Sequence, residues 1–250
     1  MSFTARAFGI ARSLVMYYGI PLRARRLRRF YSQFVTRGSL CIDVGAHAGN
    51  RVRCWRQLGA QVVAVEPQPD FVRILRWLYG RDRHVAIVPV ALGRAPGHAD
   101  LLISERTPTV TTLSREWVEG VSRDPRFAGV EWDVSHRVEL RTLDELIARF
   151  GEPAFVKIDV EGFEAEVLAG LSTPVRALSF EYLPAARDVA LACIDRLAEL
   201  GRYRYNWSPG ESHALDEPRW RSAASMRAWL ASLPPGSPSG DVYAVRDVGQ

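Results

Sequence analysis

The chain has 250 residues, a formal net charge of +5, and 47% apolar against 24% charged residues. That length and balance fit one α/β domain and exclude a chain disordered throughout, and no apolar run reaches the roughly 18 residues of a membrane-spanning helix. Cys41, Cys54 and Cys193 form no CxxC pair and suit reduced thiols, so a cytoplasmic setting is expected. Of the 33 basic residues only Lys157 is a lysine.

The positive charge sits at the N-terminus, where residues 1–42 hold eight arginines and no acid. Residues 1–37 read as a basic helical arm ahead of a domain spanning 38–250. Residues 8–18 carry an apolar stripe, and residues 22–31 interleave Leu27, Phe30 and Tyr31 with arginines at helical spacing. The pattern suits a helix docked on the body with a solvated basic edge. Second to that reading comes a basic amphipathic helix at the inner face of the membrane or near an anionic substrate, and an acid-free, arginine-rich start also fits a mitochondrial presequence.

From residue 39 short β-branched runs alternate with helical patterns. The expected order is strand 40–44, helix 50–58, strand 61–66, helix 69–79 and strand 84–92. A strand or hairpin arm over 97–104 follows, then an insertion or lid over 104–138. Regular alternation resumes with helix 142–150, strand 154–159, helix 163–171, strand 175–181 and helix 187–200. Strands 202–207 and 241–245, with a short helix 223–233 between them, close the sheet. Such alternation predicts an α/β, Rossmann-like fold: a mainly parallel sheet with helices on both faces, whose ligands bind beyond the carboxyl ends of the strands.

Asp43-Val-Gly45-Ala46-His47-Ala-Gly49-Asn50 follows the first strand and opens the first helix of the domain. Glycines there allow a sharp turn and a close approach of backbone to ligand. Glu66, at the end of the next strand, is placed to accept the hydroxyls of a ribose. The spacing is GxxxG rather than GxGxxG, and no GxxxxGK[ST] occurs, which disfavours dinucleotides and nucleoside triphosphates. An acid ahead of the glycines repels a pyrophosphate but can pair with the ammonium of a methionine moiety. These features point to S-adenosylmethionine, against the plainer reading of a tight structural turn.

A second signature is Thr142-Leu-Asp-Glu-Leu146, followed by Phe155-Val-Lys157-Ile-Asp159-Val-Glu161-Gly-Phe-Glu164 and Val167-Leu-Ala-Gly170. With the Asp43 loop and Val65-Glu66-Pro67, it resembles the FkbM family of S-adenosylmethionine-dependent methyltransferases over residues 38–183. The resemblance implies a class I methyltransferase fold, with a seven-stranded sheet whose last strand is antiparallel. It also implies O-methylation of a saccharide, glycan or natural-product-type hydroxyl. Expected around the cofactor are Asp43, Gly45, Ala46, His47, Gly49, Asn50, Glu66, Pro67 and Ala91. His47 stands where relatives often carry Asn; it contacts the cofactor carboxylate, faces the acceptor, or fills the loop.

Asp159 is the first candidate for the base that accepts the acceptor's proton or for the group that orients the acceptor, and Glu161 the second. Lys157 falls on the same strand face as Asp159, one pleat deeper, so its ammonium either orients that carboxylate, touches the acceptor, or forms a structural ion pair. Thr111, Thr112, His136, Glu181 and Tyr182 are candidates for acceptor contact. Asp159 and Glu181 offer oxygen ligands, but no DxD or histidine motif accompanies them, and a divalent metal is not expected. Two other readings compete: an RNA methyltransferase whose basic arm tracks phosphates, and a non-catalytic, membrane-associated binding protein of the same fold.

Overall fold

A computed structural model describes residues 21–247. A first helix, α1 (Pro21–Tyr31), leads into β1 (Leu40–Val44), α2 (Asn50–Gln57), β2 (Gln61–Val65), α3 (Pro69–Tyr79) and β3 (Val85–Val88). After β4 (Ala91–Leu92) and β5 (Gly97–Ile103) come α4 (Arg115–Val121), β6 (Val134–Arg141) and α5 (Leu143–Phe150). The chain continues through β7 (Phe155–Ile158), α6 (Glu164–Ala169), β8 (Ala177–Tyr182), α7 (Arg187–Leu200), β9 (Tyr203–Pro209), α8 (Ala223–Ser232) and β10 (Gly240–Arg246).

Seven strands form one sheet in the order β3-β2-β1-β7-β8-β10-β9. Its first five members run parallel, and β10 pairs antiparallel with both β8 and β9. Strand alternation sends Ile42, Val44, Val156, Ile158, Leu178 and Phe180 to one face, where α5, α6, α7 and α8 cover them. Cys41, Phe155, Ala177 and Tyr243 face the other side, against Leu27, Phe30 and Tyr31 of α1 and Val52, Cys54 and Trp55 of α2. Strands buried on both faces read as continuous apolar runs, which is why they were visible in the sequence.

The region between β3 and α5 departs from the sequence reading. The expected strand 84–92 breaks at Pro89, which has no N–H for a ladder, and the chain crosses from β3 into a second, three-stranded sheet of order β4-β6-β5. The expected insertion therefore ends before residue 134: β6 pairs antiparallel with the whole of β5, from Gly97↔Leu140 to Ile103↔Val134. Half of β6 is exposed and Val138 alone is fully buried, so the alternation of Val134, Val138 and Leu140 with polar residues is a weak signal in the sequence. Thr142 and Glu145 form a capping box at the start of α5, each side chain accepting the other's backbone N–H.

Candidate functional site

The carboxyl ends of β1, β2, β7 and β8 open into one cavity. It is lined by Asp43, Gly45, Ala46, His47, Asn50, Glu66, Pro67, Ala91, Thr111, Thr112, Asp159, Glu161 and Glu181, among others. The structure thus gathers most of the sequence-derived candidates into one place. Gly49 does not line it. That residue has φ +82°, and a Cβ there would fall 2.7 Å from the Tyr79 ring, so its glycine serves the packing of α2 on α3. Gly45 has φ +81°, and a Cβ would meet the carbonyl oxygen of Asp159, so this glycine lets the first loop close on the end of β7.

Glu66 ties two loops together. Its Oε2 accepts the His47 N–H at 2.8 Å and its Oε1 accepts the Gln68 N–H at 2.8 Å, leaving one lone-pair direction on each oxygen for a ligand. Burial pushes the Glu66 carboxyl up to about 7, against the pull of those two N–H groups. Burial likewise raises Asp43 to about 7, although Arg51 and Lys157 oppose the shift. His47 sits at φ +48°, with its ring against Phe71 at 3.5 Å between centroids. Burial lowers its pKa to about 3, so it is a neutral wall of the loop and exchanges no proton near neutral pH.

At the other end of the cavity the register of four adjacent strands sets the chemistry. Asp43 stands beside Lys157, Lys157 beside Ser179, and Asp241 opposite Glu181. Lys157 is 1% exposed, with Nζ 2.7 Å from Asp241 Oδ1 and 3.2 Å from Asp159 Oδ2. Burial disfavours its charge, yet Asp159 and Asp241 hold its pKa well above the ordinary lysine value. Lys157 therefore lies beneath the cavity as a bridge between two carboxylates. Asp241, whose Oδ2 also accepts from the Tyr243 hydroxyl at 3.3 Å, is a partner that sequence reading missed, because it lies 84 residues away on the last strand.

Beyond Asp159 the backbone turns sharply. Glu161 has φ +53° and Gly162 φ +91°, while the buried Glu164 accepts the N–H groups of Val160 and Gly162. A non-glycine residue held in the left-handed region is strained, and the surrounding contacts keep it there. Thr112 Oγ1 donates to the Glu161 carbonyl at 2.6 Å, and Trp117 of α4 packs on Gly162 so closely that a Cβ there would overlap the indole. Carboxylate oxygens of Asp159, Glu161 and Glu181 all lie within 4.8 Å of one another, a spacing that one divalent cation could bridge. Burial and the neighbouring carboxylates push both Glu161 and Glu181 well above the usual carboxylate range.

Two acceptor candidates lie elsewhere. Tyr182 points to the opposite sheet face, 3% exposed and edge-on to Trp229 at 5.4 Å, because alternation turns it away from Glu181. His136 lines a neighbouring cleft with Gln68, Asp70, Arg73 and Glu105. Thr111 lines the main cavity, and its hydroxyl donates to Gln68 Oε1 at 3.1 Å.

A model of the FkbM methyltransferase domain matches residues 43–231. The chain belongs to the FkbM methyltransferase family. A search of curated proteins finds no match. Among solved structures, precorrin-6Y C5,15-methyltransferase from Geobacter metallireducens is 11% identical, with 90% of this chain and 87% of that one covered at a TM-score of 0.46. A TehB-like SAM-dependent methyltransferase from Corynebacterium glutamicum is 9% identical, with 89% and 88% covered at 0.46. An O-methyltransferase from Thermotoga maritima is 11% identical, with 95% and 71% covered at 0.43.

The sheet, with its antiparallel β10 between β8 and β9, has the class I methyltransferase arrangement that the resemblance implied. This FkbM protein is a methyltransferase that uses S-adenosylmethionine. The cavity fits that cofactor: a buried Asp43 Oδ2 without a hydrogen-bond partner, a backbone loop turned by Gly45, and Glu66 with unused lone pairs all face it. Among the described residues no helix is long and apolar enough to cross a membrane.

Proposed function

We propose that this methyltransferase acts on a hydroxyl oxygen of a saccharide, glycan or related polyhydroxylated acceptor, with Asp159 taking up the hydroxyl proton. Bound S-adenosylmethionine supplies an electrophilic methyl group on a sulfonium. The observation that carries the reading is the nest of carboxylates formed by Asp159, Glu161 and Glu181 at the mouth of β7 and β8. Carboxylate oxygens accept hydrogen bonds from several hydroxyls at once, and His47, the one histidine among the described residues that lines the cavity, is too weak a base to serve. Asp159 is the most exposed of the charges around Lys157, with 39% of its side chain open, so it can reach an acceptor.

Each residue then has a share of the work. Lys157 fixes the direction of the Asp159 carboxylate from below, and Asp241 fixes Lys157. Glu161 and Glu181, whose raised pKa values favour their protonated forms, both accept and donate hydrogen bonds to an acceptor's neighbouring hydroxyls. The loop carrying Thr112 and the helix carrying Trp117 cover the turn at Glu161 and keep water from it. A positioned base of this kind contributes about 10²–10⁴-fold. Asp159→Asn is expected to lower turnover by that factor while S-adenosylhomocysteine affinity, read by calorimetry, stays within about threefold. Normal turnover by that variant contradicts the assignment of the base.

A further inference from the structure

Helix α1 buries its own apolar side, Leu27, Phe30 and Tyr31, against the sheet and shows solvent a basic edge on which Arg25, Arg26 and Arg29 are exposed. The apolar groups left in water lie on a helix of the same layer. Trp77, near the end of α3, is 83% exposed and Leu78 beside it 37%, and these are the two exposed large apolar side chains among the described residues. An exposed leucine is ordinary, whereas tryptophan is the largest apolar side chain and is highly buried on average. Arginines surround the pair. Arg73 lies one helical turn before Trp77 on the same face, Arg76 adjoins it, and Arg81 and Arg83 follow the helix; all four are exposed. The two carboxylates between residues 69 and 84 are both engaged, Asp70 with Arg73 at 3.0 Å and Asp82 with Arg56 of α2 at 2.8 Å. Among the described residues Arg76, Arg81 and Arg83 join no ion pair. The layer as a whole has the same sign: α1, α2 and α3 cover one sheet face, and Asp70, 9% exposed, is the one carboxylate in these three arginine-rich helices.

We propose that this face, centred on Trp77 and Leu78, docks on an anionic phospholipid membrane. The indole and the leucine enter the boundary between headgroups and acyl chains, and Arg76, Arg81 and Arg83 meet the lipid phosphates. An indole favours that boundary because its body is apolar and its N–H polar, and each arginine held near an anionic surface adds attraction. The membrane contact thus has its apolar anchor on α3, while α1 contributes charge alone. A lipid surface fits the pair better than RNA does: a leucine gives a base no flat face to stack on, and both side chains stand on the outward side of a helix instead of along a groove that tracks a strand. Helix α3 starts beside the cavity, which Pro67 and Gln68 line, so docking through its far end holds the active site within about 16 Å of the anchor, the length of its 11 residues.

Flotation of the full chain with vesicles tests the proposal. Vesicles of phosphatidylcholine are compared with vesicles of equal parts phosphatidylcholine and phosphatidylglycerol. The expected result is binding at least about tenfold stronger to the anionic vesicles, weakening as salt is added. Trp77→Ser, a change at a side chain already open to water, is expected to weaken that binding about tenfold. The double variant Arg76→Glu/Arg81→Glu is expected to weaken it by about tenfold or more. Both variants are expected to keep the melting temperature and the S-adenosylhomocysteine affinity of the unsubstituted protein, since none of the three side chains touches the cavity or the core. Equal binding to neutral and anionic vesicles overturns the proposal, whatever the variants do. Full binding by either folded variant overturns it by placing the contact on another face. Failure to float with anionic vesicles overturns it as well, and retention of a single-stranded RNA oligonucleotide in the same buffer then assigns the face to nucleic acid.

Discussion

At the scale of single residues, the lone lysine of the chain sits where a compact ammonium is required. Lys157 is enclosed between Asp159 and Asp241, and an arginine fork in the same volume overpacks it and points its donors differently. Lys157→Arg, conservative in charge, is expected to cut turnover by an order of magnitude or more with S-adenosylhomocysteine affinity nearly unchanged; steady-state kinetics beside calorimetry reads the split. Lys157→Met leaves the buried Asp241 without its cation, with only the Tyr243 hydroxyl donating to it among the described side chains, and is expected to cost about 3–5 kcal/mol in denaturant unfolding. The two cofactor carboxylates give a pH prediction. Asp43 and Glu66 are both raised to about 7 in the cofactor-free protein, and each must be ionised to accept from an ammonium or a ribose hydroxyl with full strength. Cofactor affinity is therefore expected to weaken as pH falls from 8 through 7 to 6, with His47 contributing nothing over that range. Because proton acceptance by Asp159 needs no cation, dialysis against a chelator is expected to leave turnover intact, and restoration by a divalent metal would contradict this.

Among elements, the strands of the main sheet and the helices beside them were legible because each has a buried apolar face with a clear period. Helices α3 and α7 fall on the residues their patterns indicated. Of the second sheet only β5 was legible, as the strand expected over 97–104. Its longest strand, β6, fully buries a single residue, Val138, so the alternation of Val134, Val138 and Leu140 with polar neighbours stands out little, and its pairing with β5 is a long-range fact. The same reasoning separates the site residues. Asp43, Glu66 and Asp159 stand at strand ends where the fold dictates a ligand, and the motifs around them were readable. Asp241 was missed because an acid on a late strand carries no local signal. Helix α4 is anchored by Trp117, 4% exposed, which packs edge-on against Phe127 and Trp132 and lies on the turn at Gly162. Trp117→Ala is expected to destabilise this element by about 3–5 kcal/mol and to raise the acceptor KM more than it changes cofactor affinity. Limited proteolysis between residues 105 and 133 checks the first effect and kinetics the second.

For the whole molecule, α1 belongs to the core. Phe30 and Phe34 pack on Tyr243 at 5.0 and 5.7 Å, and Tyr31 packs on Trp55 and Phe155. A truncation that removes residues up to 35 strips five buried aromatic or aliphatic side chains, Leu27, Phe30, Tyr31, Phe34 and Val35, from that face. Such side chains contribute about 1.5–3 kcal/mol each, so the shortened chain is not expected to fold. Charge also acts at this scale. Asp43, Glu66 and Glu164 each titrate near 7 when folded, against roughly 4 in an unfolded chain, so the folded protein binds more protons between those values. Their contribution to stability is full at low pH and is lost as pH rises through about 7, and a saturating cofactor that needs two of them ionised reverses the trend. Melting temperatures of the cofactor-free protein at pH 6 and pH 8 are expected to favour pH 6.

The transferred methyl group itself tests the account most directly. S-adenosylmethionine carrying a ¹³C-labelled methyl group is incubated with the protein and fractionated glycans and polyhydroxylated metabolites, and the product is read by mass and by the carbon shift of the label. The account predicts a labelled methyl ether on a former hydroxyl, absent with Asp159→Asn. Label on nitrogen, carbon or RNA, or a methyl ether formed equally well by Asp159→Asn, contradicts it.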